Sequence, residues 1–204
     1  MTPCLRNKSF GANELALFAA IVAVSLLAAA CAGSLFKVKP IVELPPLSDE
    51  AKSASAGGVM IRVAPLLSDE ESQELFEANL PLSGLLPIRL ELAYENGMPV
   101  ELKRARFHLR DSEGREWKLL TPKQAISRIL KANDIYFYNP NSRKQFEAEL
   151  AAYGLDLNTA LSLSERRRRG FLFFQTPDKK PVESPHGLTL LVERLPQPVQ
   201  IALN

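Results

Sequence analysis

Some residues of this chain are of types that could do chemistry or hold a ligand: Cys31 at the end of an apolar run, the consecutive arginines Arg166 to Arg169, and the aromatic triplet Tyr136-Phe137-Tyr138. A thiol in a narrow, small-residue context is a nucleophile that can carry a thioether-linked group. Guanidinium groups match carboxylates and phosphates as planar, two-pronged donors, so the arginine run could hold a phosphate, an anionic lipid head or an acidic partner. Its plainer reading comes first: a solvated charge run that keeps the apolar segment Phe171-Leu172-Phe173-Phe174 from aggregating. Tyr136 and Tyr138 could offer an aromatic contact to a sugar or a partner, because tyrosine joins broad apolar area to a polar tip. Packing against neighbouring helices is the simpler expectation, and Trp117, set among charged neighbours, reads as a core residue.

Catalytic signatures are sparse. His108 and His186 are the only histidines, and neither stands in a metal-ligand spacing or near a nucleophile elbow. His108 falls on the polar face of a strand and His186 in the turn Pro185-His186-Gly187, so both read as surface residues. There is no glycine-rich phosphate cradle. Acidic residues are scattered, leaving a dispersed carboxylate pair as the form a hydrolase would have to take. We expect no catalytic residue, no metal and no cofactor. The charge balance, 25 basic against 23 acidic residues, is too even for a nucleic-acid binder driven by phosphate neutralisation. Cys4 and Cys31 both precede the globular part, which therefore has no cysteine staple and must be held by its core.

The amino terminus positions Cys31. Arg6 and Lys8 form a short basic head, and an uncharged apolar run extends from Leu15 to Ala30, the order of regions in a secretory signal. The stretch Val24-Ser25-Leu26-Leu27-Ala28-Ala29-Ala30-Cys31-Ala32-Gly33-Ser34 resembles the lipobox of bacterial lipoproteins, with Ala28 where the family prefers leucine and Leu27 one step earlier. The resemblance implies cleavage before Cys31, a diacylglycerol on its sulfur, and attachment to the membrane through that lipid. By similarity to Gram-negative sorting, Ala32 after the cysteine implies the periplasmic face of the outer membrane. Two other readings fit the same residues. One is an uncleaved inner-membrane anchor, since apolar and small residues continue to Phe36. The other is cleavage after Ala28-Ala29-Ala30, which would release a soluble protein. Each of them exports the globular part.

We read residues 1–30 as the signal peptide and 31–58 as lipidated cysteine plus flexible tether. That tether is marked by Pro40, Pro45, Pro46 and the small-residue stretch from Ala51 to Gly58. Such a segment has an r.m.s. reach of roughly 30 Å and a contour limit near ~90 Å. Residues 59–204 form the domain. Ile88 to Glu95 alternates apolar and polar residues, Asn96-Gly97 suits a tight turn, and Val100 to Leu109 alternates again, which together predict a hairpin. Asp111 to Gly114 turns into a third strand, Glu116 to Leu120. Further strands are expected at Val59 to Val63, Gly170 to Gln175, Leu188 to Arg194 and Val199 to Leu203.

Helical signals interrupt the pattern. Ser68-Asp69-Glu70-Glu71 is a capping-box signature, Thr121-Pro122 opens an amphipathic stretch, and Ser142 opens another. The last two form an insertion at about 121–165. Gly170 to Phe174 is apolar on both alternating faces, as for a strand buried between the sheet and a helical cover. The fold class expected is mainly β: an antiparallel β-sandwich of about seven strands with a helical insertion.

The order Leu90-x-Leu92-x-Tyr94-x-Asn96-Gly97-x-Pro99-Val100, then Phe107-x-Leu109-x-Asp111-x-x-Gly114, resembles the Ig-like accessory domains of bacterial lipoproteins over about a fifth of the chain. That resemblance implies an immunoglobulin-like sandwich used for binding or for envelope organisation, with an envelope protein or polymer as partner. A carrier of an apolar ligand is the third class to weigh, and it requires a cavity in the core.

Overall fold

A computed structural model describes residues 44–134, 136 and 140–204. The stretch 1–30 expected as a signal peptide, Cys31, the first part of the expected tether, and Phe137 and Tyr138 lie outside the described residues. The chain is mainly antiparallel β, with strands β1 (Lys52–Ser55), β2 (Val59–Pro65), β3 (Leu85–Tyr94), β4 (Arg106–Arg110), β5 (Glu116–Leu120), β6 (Arg167–Gln175), β7 (Thr189–Glu193) and β8 (Val199–Ala202). Helices α1 (Asp69–Phe76), α2 (Pro122–Ala132) and α3 (Pro140–Ala152) complete it. The strands lie in the order β1-β2-β3-β6-β5-β4-β7-β8. Edge strands β1 and β8 approach one another, so the sheet is nearly closed and barrel-like.

Alternation decides which side each residue takes. In β3 the even positions Leu86, Ile88, Leu90, Leu92 and Tyr94 join Val59, Ile61 and Val63 of β2, Leu172 and Phe174 of β6, and Phe107, Leu109, Trp117, Leu190 and Val192 in one interior cluster. A second cluster lies on the opposite face of β3 and β6. There Leu85, Phe171 and Phe173 pack under Phe76, Ala125, Ile126, Ile129, Phe146, Leu150 and Tyr153. Its centre is aromatic: the Phe76 ring lies 5.1 Å from Tyr153 and 5.4 Å from Phe171, the second contact edge-on. Strand β6 is therefore buried on both faces from Gly170 to Gln175, as its two-sided apolar run requires.

The helices start where side chains can satisfy their free amides. Ser68 Oγ accepts from the Glu71 N–H at 3.1 Å to open α1. At α2, Thr121 Oγ1 accepts from Gln124 N at 3.3 Å while Gln124 Oε1 accepts from Thr121 N at 3.0 Å, a reciprocal box with Pro122 in the first turn. Both helices of the insertion drape their apolar stripe over the outer face of β6.

Three expectations change. The hairpin between Ile88–Glu95 and Val100–Leu109 does not form: β3 pairs with β2 and β6, whereas β4 pairs with β5 and β7. After β3 the backbone N–H of Glu95 is held by the Gly58 carbonyl at 2.8 Å, Val100 bridges to Leu161, and a 3-10 turn at Leu102–Arg104 redirects the chain. Strand β6 takes the free edge of β3 instead, because only a partner apolar on both faces suits that position between interior and helices. Part of the stretch 31–58 expected as a tether is folded. Lys52–Ser55 pairs with β2, and Leu44 and Leu47 are buried, so the folded part includes Leu44. The strand count becomes eight, with β1 the addition, and the strands form one continuous sheet.

Gly170 marks a close approach of another backbone segment to β6. Tyr153 to Leu155 runs alongside β6, the Leu155 N–H donating to the Phe171 carbonyl at 3.1 Å. A Cβ on Gly170 would sit 2.5 Å from Leu155 Cα and 2.7 Å from its nitrogen. Gly170→Ala is expected to cost about 1–3 kcal/mol through overpacking against backbone that cannot rotate away. Urea unfolding checks it: a lowered midpoint with unchanged slope agrees, and an unchanged midpoint removes the proposed crowding.

Candidate functional site

Strand geometry separates the four arginines that the sequence places together. Arg167 and Arg169 point to the outer face, where both approach Glu91 of β3, at 4.0 Å (Nη1 to Oε1) and 3.6 Å (Nε to Oε2). Arg168 alternates to the other side, only 16% exposed, and pairs with Asp156 at 3.5 Å and Glu165 at 3.3 Å. Arg166 precedes the strand, exposed, with its Nε donating to the Leu163 carbonyl at 3.3 Å. The run is thus neither wholly solvated nor one ligand cluster.

The register brings in residues that sequence reasoning did not single out. Arg62 of β2 stands opposite Glu91, and Glu91 stands opposite Arg169, so the carboxylate lies in a row between two guanidinium-bearing positions. Arg89 lies two residues before Glu91 on the same face. Its side chain donates to the Pro45 carbonyl, and Arg62 Nη2 donates to the carbonyls of Ser48 at 2.8 Å and Leu47 at 3.3 Å. Segment 44–48 is therefore strapped across the outer face by two arginines that hold its backbone. Burial, and after it the neighbouring Arg169, lowers the pKa of Arg89, with Glu91 and Tyr153 acting in the opposite direction. Two guanidinium groups, those of Arg167 and Arg169, approach a Glu91 side chain that is 8% exposed, and Arg62 and Arg89 hold neighbouring positions on the same face. The signal present in the sequence is the arginine or glutamate at each polar position of β2 and β3, but joining them needs the strand pairing.

A second constellation lies where the 111–115 turn meets the loop 176–186, around a cleft of about 380 Å³. Asp111 organises it. Its Oδ1 accepts from the N–H of Glu113 at 3.1 Å and of Arg115 at 3.0 Å, and its Oδ2 from Arg115 Nε at 2.9 Å and Trp117 Nε1 at 3.2 Å. Burial works against the charge, yet the hydrogen bonds from Arg115 and Trp117 outweigh it and hold the carboxyl below its ordinary value. With both oxygens doubly engaged, Asp111 is a structural acceptor that fixes the turn and the indole. Trp117 is buried, as its setting predicts, and His186 lies exposed at the cleft rim. His108 Nδ1 is 2.7 Å from Glu116 Oε1, and that hydrogen bond, opposed by partial burial, lowers the pKa of Glu116. Tyr136 is 73% exposed.

Comparison with protein-family models, with characterised proteins and with solved structures gives no match.

Asp111→Asn removes the charge and turns an amide NH₂ toward donors, Arg115 Nε and Trp117 Nε1. Since the side chain is 5% exposed, the loss at neutral pH is expected to be about 1–3 kcal/mol. A depressed carboxyl contributes its stability fully above the ordinary value of 3.8 and loses it as pH falls through the lower native value. Melting curves of wild type and variant should therefore converge only in that acidic range. A gap independent of pH would contradict the charge-based account.

Proposed function

We propose that this chain is a lipid-anchored cell-envelope protein whose β domain is a binding or assembly module carried close to the membrane. The observation that carries this reading is the arginine-bearing outer face, where segment 44–48, the part of the chain nearest Cys31 among the described residues, is strapped beside Arg167 and Arg169. The filled interior supports a module that works through its surface over a carrier of an apolar ligand. Leu90, Leu92, Phe107, Leu109, Trp117, Leu172 and Phe174 occupy the space that a carrier would leave open. On this proposal Cys31 bears the lipid, and the periplasmic face of the outer membrane is the site of action in a Gram-negative envelope.

The finer architecture belongs to the same proposal. The eight strands can be taken as a variant of an immunoglobulin-like sandwich, with β1-β2-β3-β6-β5 as one layer and β4-β7-β8 as the other. What suits this division is the short β4–β5 seam, only Leu109↔Trp117 and Arg110↔Glu116, against nine pairs between β3 and β6.

Cys31→Ser tests the anchor. Fatty-acid labelling should be lost and the protein released from membranes, while the melting temperature stays unchanged because the buried clusters of the described residues are built from Leu44 onward. Equal labelling of variant and wild type, or retention of the whole apolar run in the mature chain, would replace the lipid anchor by a membrane-spanning one.

A further inference from the structure

We propose that the outer face bearing Arg167 and Arg169, beside Arg62 and Arg89, docks on anionic phospholipid headgroups of the membrane that holds the chain. The proposal rests on the anchored reading and names the partner of that face.

Charge on this face is only partly compensated, since one carboxylate serves two exposed arginines. Arg167 and Arg169 are 67% and 38% exposed, and both approach the same carboxylate, Glu91, at 4.0 and 3.6 Å. Those are ion-pair separations longer than hydrogen bonds, so the guanidinium N–H groups are not consumed by Glu91. Asp156 and Glu165 are engaged by Arg168 on the other side of the strand. Phosphodiester oxygens are the acceptors that a planar, two-pronged donor fits best.

Position points the same way. Arg62 and Arg89 hold the carbonyls of Pro45, Leu47 and Ser48, so the chain leaves the domain toward Cys31 from this face. Twelve residues, 32 to 43, separate Cys31 from Leu44. Covalent geometry limits their span to about 45 Å. A face held that near a bilayer meets it at high effective concentration, and a weak electrostatic contact becomes sufficient. A surface meant for a distant protein would gain nothing from lying at the tethered end.

The test uses the full-length chain as isolated from membranes, reconstituted in phosphatidylcholine vesicles with or without phosphatidylglycerol. Docking is read as energy transfer from Trp117, the one tryptophan, to headgroup-labelled lipid, alongside cosedimentation. Transfer should rise with phosphatidylglycerol and fade as salt is raised. In R167Q/R169Q the docked-to-undocked ratio should drop about twenty-fivefold, at about fivefold per arginine, and the matching lysine double variant should recover most of it. Arg168 is left in place because it faces Asp156 and Glu165. Equal transfer in both vesicle types, or a glutamine variant indistinguishable from wild type, would overturn the proposal. If the glutamine variant fails to fold, the lysine variant and the wild-type salt series still decide. Release by millimolar inorganic phosphate at matched ionic strength would assign the face to the free ion, and docking that needs added envelope proteins would assign it to a protein partner; either overturns the lipid reading. A wild-type chain that fails to cosediment with pure phosphatidylcholine sinks the anchor alone, and docking is then read as phosphatidylglycerol-dependent cosedimentation.

Discussion

The burial of β6 on both faces is the constraint on which the rest of this molecule depends. Phe171 to Phe174 has no polar side to offer water, and each such residue gains roughly 1.5–3 kcal/mol when covered. Leu172 and Phe174 are covered by the interior of the curled sheet, and Phe171 and Phe173 by Phe76, Phe146, Leu150, Tyr153 and the α2 residues. An antiparallel sheet ordinarily leaves one face to solvent. Here the helical insertion between β5 and β6 is what removes that face from water, and β3, apolar at Leu85 and Leu86 alike, is the neighbour able to share both environments.

The same strand explains where charge is displayed. Its composition changes at Gly170: beyond it, β6 runs between two cores, and before it the outer positions carry Arg167 and Arg169. The change coincides with the edge of the helical cover. Outside that edge the sheet presents Arg62, Arg89 and Glu91, and the strap 44–48 uses two of these arginines as clamps on its carbonyls. The apolar half of β6 thus builds the fold, and the basic half lies on the same outer face as the strap 44–48.

Legibility of the sequence depends on which signals are local. Two-residue alternation locates most strands, and capping chemistry at Ser68 and Thr121 locates two helices, because these effects act within a few positions. The doubly apolar run announces its two-sided burial for the same reason. Pairing is not legible. Asn96-Gly97 does turn the chain, with Gly97 at φ 98°, but a turn signal cannot say whether the next strand returns beside its predecessor or crosses the barrel end. Lys52–Ser55 has the composition of a tether because serine and alanine carry little strand preference; its pairing with β2 and the packing of Ala54 decide the matter. The arginine site is subject to the same limit. Four adjacent arginines look like one cluster, whereas strand alternation splits them and cross-strand register assembles a different set around Glu91.

Strand β6 is the element that both cores hold, and native-state amide hydrogen exchange of the full-length chain measures this most directly. Amides of residues 171–174 and of their β3 partners Leu86, Ile88 and Arg89 should exchange only through global unfolding, with opening free energies equal to the unfolding free energy, while those of β1 and β8 open at lower cost. Exchange of 171–174 through local opening well below the global value would contradict it.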